Sequence, residues 1–133
     1  MFSIEYKVTI SDINYGGHMG NERPLIIFQQ ARIELFKNFE LSELNIGDGV
    51  GTIQKESHVN YLKESFLGDI LKVIIEKIEF TKTTMNFYYN IFNQKDELIV
   101  TGSTLIIGYN YEKRKISKIP AGFIEKISML EGK

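Results

Sequence analysis

The chain has 133 residues, of which 43 % are apolar, and this length and composition are typical of one domain with a substantial buried core. Its 16 Lys and Arg residues nearly balance its 17 Asp and Glu residues, so the net charge of −1 predicts no nucleic-acid partner. The absence of cysteine excludes disulfides, thiolate metal ligands and a cysteine nucleophile. The segment "MFSIEYKVTI" at positions 1–10 contains Glu5 and Lys7 and no long apolar run. We therefore expect neither a signal peptide nor a membrane span, and a cytoplasmic protein without a membrane partner.

The first third of the chain predicts a strand, a polar loop and a long helix. Residues 2–10 alternate apolar and polar side chains, which indicates a strand. Residues 12–21, "DINYGGHMGN", contain three glycines and no hydrophobic period, which indicates a flexible loop. Residues 22–39 carry apolar side chains at helical spacing, with Asn21 as the expected N-cap and Pro24 in the first turn. Because this helix is apolar over most of its circumference, we expect it to be buried on more than one side.

The remaining residues predict mainly strands. We expect one short helical turn at residues 41–44, followed by strands at 50–63, 69–80, 84–93 and 98–109. Residues 113–118 extend the sheet, and residues 120–130 form a short helix. A strand, a long helix and four strands in a meander indicate an antiparallel sheet and the α+β class. With no linker or repeat, residues 1–133 are expected to form a single domain, in which the sheet wraps around the helix.

The loop and the helix together carry a family resemblance. "DINYGGHMGN" followed by "QQARIELF" resembles the pattern D-x-D-x-x-G-H-V-N-N, then E-A-R-x-x-F, of hotdog-fold acyl-CoA thioesterases of the hydroxybenzoyl-CoA thioesterase-like type. The glycine-aspartate turn in "SFLGDILKV" and Pro120 also fit, so the resemblance covers nearly the whole chain. It implies a hotdog fold and hydrolysis of an acyl-CoA or acyl carrier protein thioester, without a metal or redox cofactor. It also implies sites at a subunit interface, and therefore a homodimer or a homotetramer built from dimers.

One position departs from the family pattern. Many relatives have a catalytic carboxylate as the second acid of D-x-D, where this chain has Asn14, and an amide cannot act as a general base. Glu56 is the expected replacement, because "TIQKESHVNYLK" is similar to the strand of plant acyl carrier protein thioesterases that carries a working glutamate. On this hypothesis one strand face carries Gln54, Glu56, His58 and Asn60, and Asn14 and His18 orient water or substrate. The alternative interpretation of Glu56 is a solvated strand face.

Thioester hydrolysis also needs donors for the developing oxyanion, and N–H groups at a helix start supply them. We expect the backbone at Gly17, Gly20 and Asn21 to bind substrate in this way. Asp12 and Gly16 are expected to be structural, with Asp12 bonded to loop amides in an Asx turn. The alternative is an ordinary capped helix after a tight loop, in which a loop histidine bonds to backbone.

Three other classes of protein compete with a thioesterase. A non-catalytic acyl-CoA-binding module is favoured by Asn14. A hotdog dehydratase or hydratase would use a histidine and an acid in motifs that this chain lacks. A sheet protein with a purely structural loop is the third possibility.

Overall fold

The computed structural model describes residues 1–131, which form one antiparallel sheet and two helices. A short 3-10 turn at Ile10–Asp12 follows the first strand. The strands are β1 Phe2–Lys7, β2 Gly51–Tyr61, β3 Ile70–Phe80, β4 Thr84–Phe92, β5 Leu98–Asn110 and β6 Lys115–Ile116, and the helices are α1 Arg23–Asn38 and α2 Ala121–Glu131.

The strands pair in the order β1-β3-β4-β5-β2, and β6 adds to the end of β5. Strands β3, β4 and β5 form a meander, as expected, but β2 pairs with β5 instead of β3. The prediction of a four-strand meander was therefore wrong. An alternating pattern identifies a strand, but it carries little information about which other strand that strand pairs with. As a result β1 and β2 are the two edges, and β2 presents an unpaired edge eleven residues long.

Helix α1 packs on one face of the curved sheet and fills its interior. Strand β4 shows the packing clearly, because its alternate residues Met85, Phe87, Tyr89 and Ile91 are fully buried. Phe28 of α1 stacks on Tyr89 with a centroid distance of 4.1 Å. This arrangement confirms the expected α+β hotdog fold, an antiparallel sheet wrapped around one long central helix.

The helix approaches the sheet most closely at Gly102 of β5. A Cβ atom there would lie 2.7 Å from the ring of Phe28 and 2.5 Å from the carbonyl oxygen of His58. Only glycine leaves this space, so position 102 sets how deeply α1 sits in the sheet.

Two local predictions differ from the structure. Strand β1 ends at Lys7, and Ile10 is 74 % exposed in the 3-10 turn instead of continuing the apolar face. Residues 41–44 contain a hydrogen-bonded turn between Ser42 and Asn45 and no helical turn. In both places the apolar spacing resembles that of regular structure, but side-chain and turn hydrogen bonds decide the backbone path.

The second helix closes one end of the core. Phe123 of α2 packs edge-on against Phe36 of α1 and Phe80 of β3, with centroid distances of 5.6 and 6.2 Å. Another side of α1 stays open, where Ile26 and Ile33 are 43 % and 39 % exposed. Neither helix within residues 1–131 has the length and apolarity needed to cross a bilayer.

Candidate active site

The loop before α1 is anchored by a buried carboxylate, Asp12, which is 1 % exposed. Its oxygens accept hydrogen bonds from the Thr9 N–H, the Tyr6 hydroxyl and the Arg23 guanidinium, each at 2.9 Å. Burial opposes ionisation of Asp12, but these hydrogen bonds and the Arg23 charge outweigh it and lower the pKa of this carboxyl. Burial, with Asp12 beside it, raises the pKa of Tyr6. Asp12 thus ties β1 to the first residue of α1, rather than forming the expected Asx turn on the loop amides that follow.

Asn14 forms the Asx turn instead. Its Oδ1 accepts the Gly16 N–H at 2.9 Å, and its carbonyl accepts the Gly17 N–H at 3.1 Å. Gly17 has a φ of 77°, a conformation that favours glycine. Within residues 1–131, the Asn14 Nδ2 has no hydrogen-bond partner, so its two N–H donors are available.

His18 lies in the same loop with its ring against the backbone of Gly16. A Cβ at Gly16 would be 2.8 Å from His18 Nε2, so glycine is required for this ring position. His18 Nδ1 lies 3.2 Å from the Met19 carbonyl oxygen, and Nε2 lies 3.9 Å from a carboxylate oxygen of Glu64. The ring therefore has one nitrogen engaged by backbone and the other directed toward a carboxylate.

Helix α1 begins at Arg23, with Glu22 at the N-cap and no side-chain cap. The prediction that Asn21 is the N-cap was therefore wrong, and its carbonyl instead accepts the Tyr61 hydroxyl. The Gly20 N–H donates to the Asp12 carbonyl at 2.9 Å, so the Gly17 and Gly20 amides, both expected to bind substrate, are engaged inside the loop. In the described part of the chain, the amides of Asn21 and Glu22 have no such acceptor.

A cavity of about 200 Å³ lies at this start of α1. The loop contributes His18, Gly20 and Asn21, and the end of β2 with the segment after it contributes residues 61–65, including Tyr61 and Glu64. The Met19 N–H donates to the Ser65 carbonyl at 2.7 Å, which holds the two segments together. The sequence pattern did not identify residues 62–65 as part of the site, because they are distant in sequence from the loop and form no recognisable motif.

Glu56 lies on the other side of the sheet. Strand β2 has a β-bulge between Gln54 and Glu56. Gln54 pairs with the buried Ile106 of β5, and Glu56, two residues later, pairs with Leu105, the neighbour of Ile106. Neighbouring residues of a strand face opposite sides, so the bulge separates Gln54 from Glu56. The prediction of one shared face was wrong for Gln54 and holds for Glu56 and His58, whose side chains lie 3.8 Å apart.

The side chain of Gln54, although exposed, instead joins a polar network around the buried Arg32, the arginine of "QQAR". Arg32 is 3 % exposed and donates to the Tyr89 hydroxyl at 2.9 Å and to Gln54 Oε1 at 3.3 Å. Glu43 lies 3.8 Å from the guanidinium, so the buried charge has a carboxylate partner. Burial raises the pKa of Tyr89, and the Arg32 charge opposes that effect. A second cavity, of about 490 Å³, adjoins this network.

Among the described side chains, those of residues 1–130, no group of three or more His, Asp or Glu could hold a metal ion. The expectation that the protein uses no cofactor stays a prediction.

Comparisons with known proteins define the family. The model of the thioesterase-like superfamily matches residues 8–127, and the chain belongs to that superfamily. The uncharacterized protein YsmA of Bacillus subtilis is 24 % identical in sequence to this chain over 116 residues, which cover 86 % of this chain and 78 % of YsmA.

Solved structures share the fold. Slr0204, a 1,4-dihydroxy-2-naphthoyl-CoA thioesterase from Synechocystis, is 20 % identical and superposes with a TM-score of 0.87 over 98 % of this chain and 97 % of its own. SAV2348 from Staphylococcus aureus, solved in complex with CoA, is 22 % identical with a TM-score of 0.82, over 96 % of this chain and 82 % of its own. At such identities the likeness establishes the hotdog fold.

Proposed function

We propose that the chain is a thioesterase that hydrolyses an acyl-CoA, or an acyl carrier protein thioester, in the cavity at the start of α1. One observation carries this proposal: the unengaged amides of Asn21 and Glu22 lie at the positive end of a helix, in the loop that carries His18. Membership of the thioesterase-like superfamily supports the reaction class, and the CoA bound to SAV2348 supports the thiol.

The carbonyl oxygen of the thioester is proposed to bind at these two amides. Because they precede the first turn of α1, negative charge that develops on the oxygen is stabilised by N–H donors and by the helix dipole. The Glu22 carboxylate lies directly over the α-carbon of Gly20, so a side chain at position 20 would have to displace it. Water, a carboxylate and these donors suffice for the reaction, and no metal or redox cofactor is needed.

His18 and Asn14 are proposed to orient the substrate or the attacking water. His18 lines the cavity, and Asn14 supplies N–H donors from the same loop. A carboxylate must accept the proton of the water, and the chain offers two candidates. Glu56 is the sequence-based candidate, and Glu64 is the carboxylate nearest to His18 in the structure.

A role for Glu56 requires a second protomer. Its side chain is on the sheet face opposite α1 in its own protomer, so only a protomer that packs against that face could bring its loop to Glu56. We propose a homodimer, joined through the unpaired β2 edges about a two-fold axis, or a tetramer built from two such dimers. The long edge and the exposed Ile26 and Ile33 of α1 support this assembly.

Thiol release from a panel of acyl-CoA and acyl carrier protein thioesters tests the function. We expect turnover with at least one acyl group, and loss of turnover in His18→Ala with little change in melting temperature, because the ring bonds only to the adjacent Met19 carbonyl among the described residues and lies outside the hydrophobic core. A panel without any thiol release above the uncatalysed rate would contradict the proposal.

A non-catalytic acyl-CoA-binding module is the second candidate, and Asn14 at the family's acidic position favours it. Isothermal titration calorimetry with a non-hydrolysable thioether analogue separates the two candidates. Tight binding of the analogue together with no thiol release from the matching thioester would favour the module.

A further inference from the structure

We propose that Glu64, in the connection between β2 and β3, is the catalytic carboxylate that activates water beside His18. This inference rests on the proposed thioesterase function and names its general base. The Glu64 Oε1 lies 3.9 Å from His18 Nε2, and both side chains line the cavity at the start of α1. Glu64 was not among the residues that sequence reasoning selected.

The orientation of His18 leaves a gap that suits one water molecule. Nδ1 faces the Met19 carbonyl at 3.2 Å, so in the neutral ring Nδ1 carries the proton and Nε2 presents a lone pair. A separation of 3.9 Å from Nε2 to the Glu64 carboxylate is too long for a direct hydrogen bond. A water to one side of this pair, about 2.8 Å from each atom, can donate one O–H to each, which leaves its own lone pairs directed at a substrate.

Backbone contacts fix Glu64 next to the loop. The Met19 N–H donates to the carbonyl of Ser65, the next residue, at 2.7 Å, and His18 forms a β-bridge with Phe66. The Phe66 N–H and the Ser65 hydroxyl bond in turn to Asp69, which closes the turn before β3. The Glu64 backbone is therefore held against the loop, even though its side chain is 63 % exposed.

The neighbouring lysine does not neutralise Glu64. Lys63 is paired with Glu97 at 2.6 Å across the β4–β5 turn, and this pair, assisted by Asn93, lowers the pKa of Glu97. Among residues 1–131, His18 is the only cation-forming side chain within ion-pair distance of Glu64. The carboxylate is thus free to accept a proton from water.

The step balances without any other reactant. Glu64 accepts one proton from the water, whose oxygen forms a bond to the thioester carbon while the carbonyl oxygen becomes an oxyanion at the amides of Asn21 and Glu22. When the tetrahedral intermediate collapses, the carbon–sulfur bond breaks and Glu64 returns its proton to the thiolate. The products are the free acid and the thiol.

The test is steady-state thiol release by Glu64→Gln, with Glu56→Gln as the rival variant and Glu125→Gln as a control. Glu125 is an exposed residue of α2 without an ion pair in the described part of the chain. We expect kcat to fall about 10²–10⁴-fold in Glu64→Gln with KM changed much less, since glutamine keeps the shape and removes only basicity. Melting temperature and circular dichroism should match the unaltered protein, because the side chain is exposed.

The outcomes separate this inference from the function on which it rests. Retained kcat in Glu64→Gln, with kcat lost in Glu56→Gln, would assign the base to Glu56 and overturn the role of Glu64. Equal, small losses in Glu64→Gln and Glu125→Gln would also overturn it. No release by the unaltered protein with any thioester would overturn the thioesterase function itself, and the Glu64 assignment with it.

Discussion

Asp12→Asn should destabilise the fold far more than its single atom change suggests. The carboxylate accepts hydrogen bonds from Thr9, Tyr6 and Arg23, and its side chain is fully buried while that of Arg23 is 21 % exposed. In the variant, an NH₂ group replaces one of the two acceptor oxygens. At least one of the three donor groups then faces this NH₂ group instead of an acceptor, and Arg23 loses its counter-charge. Removing one partner of a buried ion pair costs about 3–5 kcal/mol, and the partial exposure of Arg23 favours the lower end, about 3 kcal/mol. For a chain of this size that is a fall in melting temperature of about 10 °C.

The measurement is urea unfolding at pH 7, beside Asp48→Asn as a control. Asp48 is an exposed turn residue with a φ of 52°, which asparagine also adopts, so this variant loses the same charge without losing a buried contact. We expect the midpoint of Asp48→Asn to match that of the unaltered protein. A loss below about 1 kcal/mol in Asp12→Asn, within the range of exposed ion pairs, would refute the reasoning.

The loss of unfolding free energy in Asp12→Asn should depend on pH, which provides an independent check. The pKa of Asp12 is lowered in the folded state, so its contribution to stability is fully present above the ordinary aspartate pKa of about 3.9. That contribution is lost as the pH falls through the lowered folded pKa. The difference in unfolding free energy between the unaltered protein and Asp12→Asn should therefore be constant from pH 5 to 7 and shrink below about pH 4. A difference that grows on acidification would contradict the assignment of the shift.

Three further predictions concern the assembly, the loop and the core. Static light scattering at micromolar concentration should give two or four times the mass of one chain, and a stable monomer would contradict pairing through β2. Gly16→Ala should displace the His18 ring, since its Cβ would lie 2.8 Å from Nε2, and should lower kcat while the melting temperature changes little. Arg32→Met should cost about 3 kcal/mol in urea unfolding, because methionine fills the space but leaves Glu43 without its counter-charge and Tyr89 without its donor; a loss below about 1 kcal/mol would contradict this role of Arg32.

The fold was predictable because its signals are local and repeated. Period-two alternation located every strand to within about three residues, and the apolar stripe of α1 located the helix to within one residue at each end. The partner of β2 was not predictable in this way, because pairing with β5 depends on how β3 to β5 pack as a unit. The bulge between Gln54 and Glu56 was also invisible, since no glycine or proline marks it and the residues on both sides are polar.

The candidate site was predictable only in part. The motif "DINYGGHMGN" located the loop. The general tendency of N–H groups at a helix start to bind negative charge located the amides beside it. The sequence could not reveal which amides remain free, because the carbonyl groups of Asp12 and Asn14 take up those of Gly20 and Gly17 only in the folded loop. A β-bridge between residues 18 and 66 brings Glu64 close to His18. A contact between residues so far apart in sequence has no local signature.

Asn14→Asp tests whether the departure from the family pattern changes structure or chemistry. The Asx turn needs only an acceptor oxygen, which aspartate also provides for the Gly16 N–H, so the loop and the melting temperature should stay unchanged. The rate of hydrolysis should change, because the variant loses the Nδ2 donors. It also adds a carboxylate to a site whose proposed base is already a carboxylate. Like charges that share a site favour retention of a proton on one of them, which would remove a base at neutral pH. We therefore expect kcat to fall in Asn14→Asp, and to fall similarly in Asn14→Ala if the amide donors matter more than the added charge. Faster hydrolysis by Asn14→Asp, persisting when Glu64→Gln or Glu56→Gln is combined with it, would show that position 14 is where this fold holds its base.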